Sequence, residues 1–181
     1  MKLETSTIRR LRDALLRSGR RPSIVLSPAY ETLARKNLLS PEERTALTRI
    51  EPVAETMYLM MAADGRVQDA ERDAIRGAIR GLTGDLLQDA GVIAVMLETF
   101  EARLRESGRD ARLQEIAAEI GSETSKAEAA FVLAAAVALA DDNVTDEETA
   151  FIRQLAVWFR IPTGRATRLL DELEQDAPRS A

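Results

Sequence analysis

Apolar residues along this chain recur at intervals of three and four, and no stretch alternates with period two for long enough to make a strand. The pattern predicts a succession of helices. The first covers Glu4 to Ser18, with Ile8, Leu11 and Leu15 on one face, arginines on the others, and Gly19 as its stop. Pro22, Ser23, Ser27 and Pro28 read as a linker. Ser27-Pro28 and Ser40-Pro41 read as helix starts, the second strengthened by the capping-box spacing of Ser40 and Glu43. Pro52 is expected to kink the chain or restart the helix. Val53–Ala63 is apolar nearly all round, as in an internal helix. Further helices are expected from Asp69 to about Leu82, from Leu86 to about Glu106, and through Leu113, Ile116 and Ile120 to Gly121. Ser125 and Glu128 have the spacing of a capping box opening an Ala-rich helix that runs to Ala140. Thr145 and Glu148 repeat that spacing before a helix carrying Phe151, Ile152, Leu155 and Phe159, stopped by Pro162. A last helix runs from about Thr163 to Gln175.

The fold class that follows is all-α: a compact multi-helix domain, with a basic amphipathic helix (1–20) ahead of it, a Pro-containing linker with short helices (21–52), the helical domain (53–176) and a frayed tail (177–181). The scarcity of aromatic residues, 4% of the chain, agrees with helix packing through small and straight apolar side chains. Two glycines, Gly77 and Gly81, fall inside an expected helix and suggest a close helix crossing there.

An internal repeat gives the pattern more content. A shift of 77 residues lays Ala63, Asp64, Val67, Asp69 and Glu71 on Ala140, Asp141, Val144, Asp146 and Glu148, and carries on to Ile75/Ile152 and Arg76/Arg153. Each copy is an apolar helix, an acidic turn and an amphipathic helix, so the duplicated unit is helix–loop–helix, and two such units are expected to pair. Asp69, Glu71, Asp146 and Glu148 sit in the first turn of the second helix, where free N–H groups and the positive dipole end favour carboxylates. Asp64, Asp141 and Asp142 sit at the C-terminal end of the first helix, where an anion is disfavoured by roughly 0.3–1 kcal/mol. A divalent cation would compensate, and a hard ion such as Ca²⁺ or Mg²⁺ suits an all-oxygen shell. The outer acids of each turn are only seven positions apart, too short for an EF-hand loop. Val67 and Val144 are expected to turn inward and bring the turns together. A purely structural reading stands beside the metal one: Asp64 bonds its own turn, Glu71 and Glu148 close capping boxes, and Arg66 or Arg76 supplies the countercharge.

Composition narrows the chemistry. The chain has no Cys and no His. That removes disulfides, thiolate catalysis, common zinc sites and imidazole acid/base chemistry. No P-loop or Gly-rich phosphate cradle is present, so a carboxylate-only hydrolase is the weakest reading. A net charge of −5 argues against nucleic acid as a partner, although residues 1–21 carry seven basic residues against two acidic ones. That basic helix is read as docked on the domain, with contact to anionic lipid or an acidic partner as the alternative. The longest apolar run, Ala129–Ala140, is too short for a membrane span of about 20 residues. The expected location is cytoplasmic.

The paired Ala-Asp-Gly-x-Val-x-x-x-Glu pattern, Ala63 to Glu71 and Ala140 to Glu148, resembles the tellurite-resistance TerB family over about residues 53–170, as does the ending Ile152–Ile161 before Pro162. The second copy departs from the pattern, with Asp142 in place of Gly. The resemblance implies an all-helical domain, acidic loops that take divalent metal, and a role in stress-response or membrane-linked complexes. A related domain in a DnaJ-like co-chaperone implies that the fold alone does not decide the role. The expected function is a non-enzymatic binding protein with protein partners and Asp64, Glu71, Asp141 and Glu148 as core ligands, supported by Asp69, Asp142 and Asp146. The alternative is a helical adaptor with structural acids and no metal.

Overall fold

The computed structural model describes residues 10, 13, 15, 28–35, 39–64, 69–83, 90–121, 123–139 and 144–176. These form eight helices, α1 (Pro28–Arg35), α2 (Pro41–Met61), α3 (Asp69–Thr83), α4 (Ala90–Ser107), α5 (Arg109–Ile120), α6 (Thr124–Ala138), α7 (Asp146–Trp158) and α8 (Thr163–Asp176), with a 3₁₀ turn at Ala62–Asp64. No strand occurs among the described residues, and none of their helices is long and apolar enough to cross a membrane. The all-α class expected from periodicity is the class observed.

The centre of the molecule is the pairing of α2 with α6, the most extensive helix contact. Both are buried nearly all round: Pro52 to Met61 on α2, and Ala129 to Ala136 on α6. Neither has a polar face to give to water, so each needs cover on several sides. α3, α4 and α5 cover α2, while α7 and α8 cover α6, and α5 lies against α7 as well. The central pair therefore comes from equivalent helices of the two repeats.

Capping explains where several helices begin and end. Ser40 accepts from Glu43 N–H at 3.2 Å while the Glu43 carboxylate accepts from Ser40 N–H at 2.7 Å, the reciprocal box expected there. The same box forms at Thr145 and Glu148. α7 ends in a Schellman motif, with Arg160 N–H donating to Val157 O at 3.1 Å and Ile161 N–H donating to Ala156 O at 2.8 Å. Arg160 holds the left-handed position, φ +55°, where glycine is usual.

Four expectations need correcting. Of the two outcomes expected at Pro52, the restart does not occur: α2 is a single element of 21 residues with Pro52 inside it. The lost hydrogen bond and ring clash, about 3 kcal/mol in an isolated helix, are outweighed by burial of the flanking turns. Ser125 and Glu128 make no capping box; Glu123 is the N-cap of α6, no side chain caps it, and Glu128 is taken by Arg165 of α8. Gly77 and Gly81 serve no close crossing, because a Cβ at either would meet nothing within 4 Å. Val144 does not turn inward and is 37% exposed. Of the expected N-terminal helix, Arg10, Asp13 and Leu15 are described and all three are helical. Leu15 is buried in the core, and exposed Arg10 reaches Glu172 of α8 at 2.8 Å.

Candidate functional site

The two acidic turns are launched from equivalent points. α2 ends at Met61 and α3 begins at Asp69; α6 ends at Ala138 and α7 begins at Asp146, each boundary displaced by the 77 residues of the sequence repeat. The helix ends close alike, with Ala62 N–H bonded to Tyr58 O and Leu139 N–H bonded to Ala135 O. The 3₁₀ turn at Ala62–Asp64 packs against α7, which is the helix launched by the second turn. The first acidic turn therefore begins beside the second unit.

The acids have different surroundings. Thr145 N–H donates to Glu148 Oε2 at 2.8 Å and Glu148 N–H donates to Thr145 Oγ1 at 3.1 Å, so Glu148 closes the N-terminus of α7. One oxygen, Oε2, carries that bond, which leaves Oε1 for another partner. Asp146 is exposed in the same first turn, where the helix dipole stabilises it. Asp141 and Asp142 lie outside the described residues, as do the side chains of Asp64, Asp69 and Glu71 and the residues Arg66, Val67 and Gln68. Among the described residues no three acidic side chains gather into a metal-sized group. The donor types fit a hard cation, being carboxylates and helix-end carbonyls. The described share of the set is Glu148 and Asp146.

One residue beside the first turn escaped the sequence reading. Arg109, at the start of α5, donates through Nη1 to Ala63 O at 3.5 Å, and its guanidinium lies 5.2 Å from the ring centroid of Phe151 on α7. It thus supplies positive charge at the negative end of α2 and links that end to the second unit. Nothing local in the sequence marks it, since Ala63, Arg109 and Phe151 belong to three separate helical segments.

A second polar assembly lies inside the bundle. Glu55, 1% exposed in the apolar run of α2, accepts from Arg112 Nε and Nη2 at 2.8 Å each and from Arg103 Nη1 at 2.8 Å. Arg103 also pairs with Glu51 at 2.9 Å, and Arg112 with Glu115. The fork geometry satisfies Glu55 on both oxygens, which is what permits its burial. Burial pushes the Glu51 carboxyl above its ordinary range against the pull of Arg103. Tyr30 of α1 is buried nearby with its hydroxyl unbonded among the described residues, and burial raises its phenol well above the usual range, aided by Glu51. The readable signal was Glu55 itself, a charge within ten successive buried positions, which requires a buried cation. The network ties α2 to α4 and α5.

Comparison with known families gives a match of residues 51–171 to the model described as Tellurite resistance protein TerB. Neither curated proteins nor solved structures gave a match. The matched span contains both acidic turns, the central α6, the covering helices α3, α4, α5 and α7, and α8 as far as residue 171, so the resemblance seen in the paired motif extends through most of the domain. The chain belongs to the tellurite-resistance TerB family.

Proposed function

We propose that this chain is a non-enzymatic, cation-responsive binding protein, in which the paired turns take a divalent ion such as Ca²⁺ or Mg²⁺ and the helical domain engages protein partners in tellurite-resistance or stress-response complexes. The supporting observation is the repeat in three dimensions: two helix–turn–helix units with matching boundaries, whose first turn rests on the helix launched by the second. Asp64, Glu71, Asp141 and Glu148 would hold the ion, with Asp69, Asp142 and Asp146 in support. The ion would supply countercharge at the two helix ends and draw the units together; it has no substrate to activate in this scheme. Calorimetric titration of Ca²⁺, Mg²⁺ and Mn²⁺ into the full chain tests it. Saturable binding that weakens in the Asp64→Asn/Asp141→Asn double variant is expected. No heat for any of the three ions, or heat unchanged in the double variant, removes the metal from the function.

A second reading has an observation in its favour. Glu148 is engaged in capping, and Arg109 already brings a cation to the end of α2. In that reading the acids are structural and the chain is a helical adaptor, with the basic N-terminal helix or another surface as its contact. A thermal melt unaffected by EDTA or added cations is its expected result.

A further inference from the structure

The C-terminal half of the outer face of α7, from Arg153 to the turn at Arg160, is exposed and carries basic and apolar residues together. Val157 is 77% exposed, far beyond any other large apolar residue described. Arg153 lies one turn before it on the same face, and Arg160 follows in the Schellman turn; both are exposed. Every arginine of α4, α5 and α8 is engaged: Arg103, Arg105, Arg109, Arg112 and Arg165 with carboxylates, Arg168 with Gly164 O. The side chains of Arg153 and Arg160 have no ion pair or hydrogen-bonded partner among the described residues. The positions one turn from Arg153 are Thr149, Ala150, Ala156 and Val157, none of them acidic.

Beside Arg160 a cleft of about 230 Å³ opens between the first turn of α6 and the α7–α8 turn. Ala127, Phe159, Ile161 and Pro162 give it an apolar lining, with Thr124 at its polar edge. Its one lining carboxylate, Glu128, is held bidentately by Arg165 at 2.8 and 2.6 Å and is spent there, so it does not neutralise Arg160. In a chain of net charge −5, two guanidinium groups without a partner among the described residues thus flank one apolar knob and one apolar cleft.

We propose that this face docks an acidic peptide segment of a protein partner. An apolar side chain of the segment enters the cleft, and its Asp or Glu neighbours pair with Arg160 and Arg153 across Val157. Charge complementarity selects the occupant: a neutral or basic segment leaves both guanidinium groups unpaired, whereas carboxylates match them in fork geometry. The surface is separate from the cation proposal above and is expected to work equally with and without EDTA.

Random dodecapeptides displayed on phage and selected on the full-length chain test this. The expected consensus is a Leu, Ile, Val or Phe anchor with Asp or Glu within four positions. A synthetic peptide of that consensus is expected to bind at least about tenfold more weakly to Arg153→Glu/Arg160→Glu. It should also weaken for Arg160→Gly, a change that suits the turn and keeps the fold. Absence of enrichment, a consensus without acid, or equal binding to the charge-reversed chain overturns the proposal. So does a concentration-dependent dimer, or binding to phosphatidylglycerol vesicles, that the same double variant abolishes, because the face then belongs to a second copy or to lipid.

Discussion

Glu51 and Glu128 stand 77 residues apart on the two central helices, and each is held by an arginine from two helices further along: Arg103 of α4 at 2.9 Å, and Arg165 of α8 at 2.6 Å. The arginines are not themselves related by the repeat. Each unit has separately found a cation from the next covering helix to neutralise the same carboxylate. The duplication is therefore better described as three helices than two, α2–α3–α4 and α6–α7–α8, with α5 wedged between them.

The two carboxylates differ in sign where pH is concerned. Arg165, through its hydrogen bonds, holds the Glu128 carboxyl below the ordinary range, and burial holds Glu51 above it. A lowered carboxyl contributes stability above its unfolded pKa, about 4.3, and loses it as pH falls through the lower folded value. A raised one opposes folding at neutral pH; the opposition fades as pH falls below its higher folded value and is gone below the unfolded one. Glu128→Gln is expected to lose about 1.5 kcal/mol at pH 7, with the deficit shrinking below pH of about 4. Glu51→Gln is expected to melt at or above the wild-type temperature at pH 7 and to converge with it in acid. Thermal melts from pH 3 to 8 decide the matter; equal losses in the two variants at pH 7 would contradict it.

Glu55 and Arg112 form the best-buried ion pair among the described residues, and its worth lies in not being broken. Glu55→Gln leaves two guanidinium groups short of charge inside the bundle, at an expected cost of about 3–5 kcal/mol. Arg112→Leu alone is expected to cost a similar amount. The double variant should lose less than the sum of the singles by about 1–3 kcal/mol, as contacting partners do. Urea unfolding of the four chains gives the coupling, and strict additivity would show that the pair does not act as a unit.

The Thr145–Glu148 box separates capping from cation binding. Thr145→Ala removes the N-cap acceptor and is expected to cost about 1 kcal/mol. Glu148→Gln retains an oxygen that can accept from Thr145 N–H, so its melting temperature should stay close to wild type. The same variant loses a formal charge from the proposed ion site and should weaken cation binding measured by calorimetry. A Glu148→Gln chain that binds Ca²⁺ and Mg²⁺ as well as wild type confines Glu148 to its capping role.

What could be read from the sequence depended on the distance between partners. Ser40 with Glu43, and Thr145 with Glu148, satisfy each other within one turn, and both boxes formed as expected. Ser125 and Glu128 have the same spacing, but Glu128 bonds an arginine 37 residues away, and no local rule predicts that choice. The helix runs on through Pro52 for a related reason: the local cost of the proline is real, while the burial that offsets it comes largely from α6. Val144 looked like an inward anchor because it is the lone apolar residue among acids, yet it lies on the surface. The acids of the candidate site showed through their duplication. Arg109 did not, because its place beside Ala63 follows from how α5 crosses between the two units.

Gly77 and Gly81 offer a direct test of the packing around α3. Both lie inside the helix and are exposed, and neither has a neighbour that an added methyl would meet. Alanine there restricts the unfolded chain and suits the helix, so each replacement is expected to stabilise by about 0.5–1 kcal/mol, and the pair to add. A loss on either substitution, measured by urea unfolding, would reveal a close neighbour at that face.

Arg160 makes the opposite kind of test, because its backbone suits glycine and its side chain has no partner among the described residues. The residue sits at φ +55° with both Schellman bonds formed, and an L-residue in that region costs about 1–2 kcal/mol. Arg160→Gly should recover about 1 kcal/mol, offset in part by the greater freedom glycine gives the unfolded chain. For a chain of this size the melting temperature is then expected to rise by about 2–4 °C. Arg160→Ala keeps the backbone cost and removes the guanidinium, so its melting temperature should stay near wild type. A fall in both variants would mean that the guanidinium stabilises the turn, and Arg160 would then be a structural residue with no charge to spare for a partner.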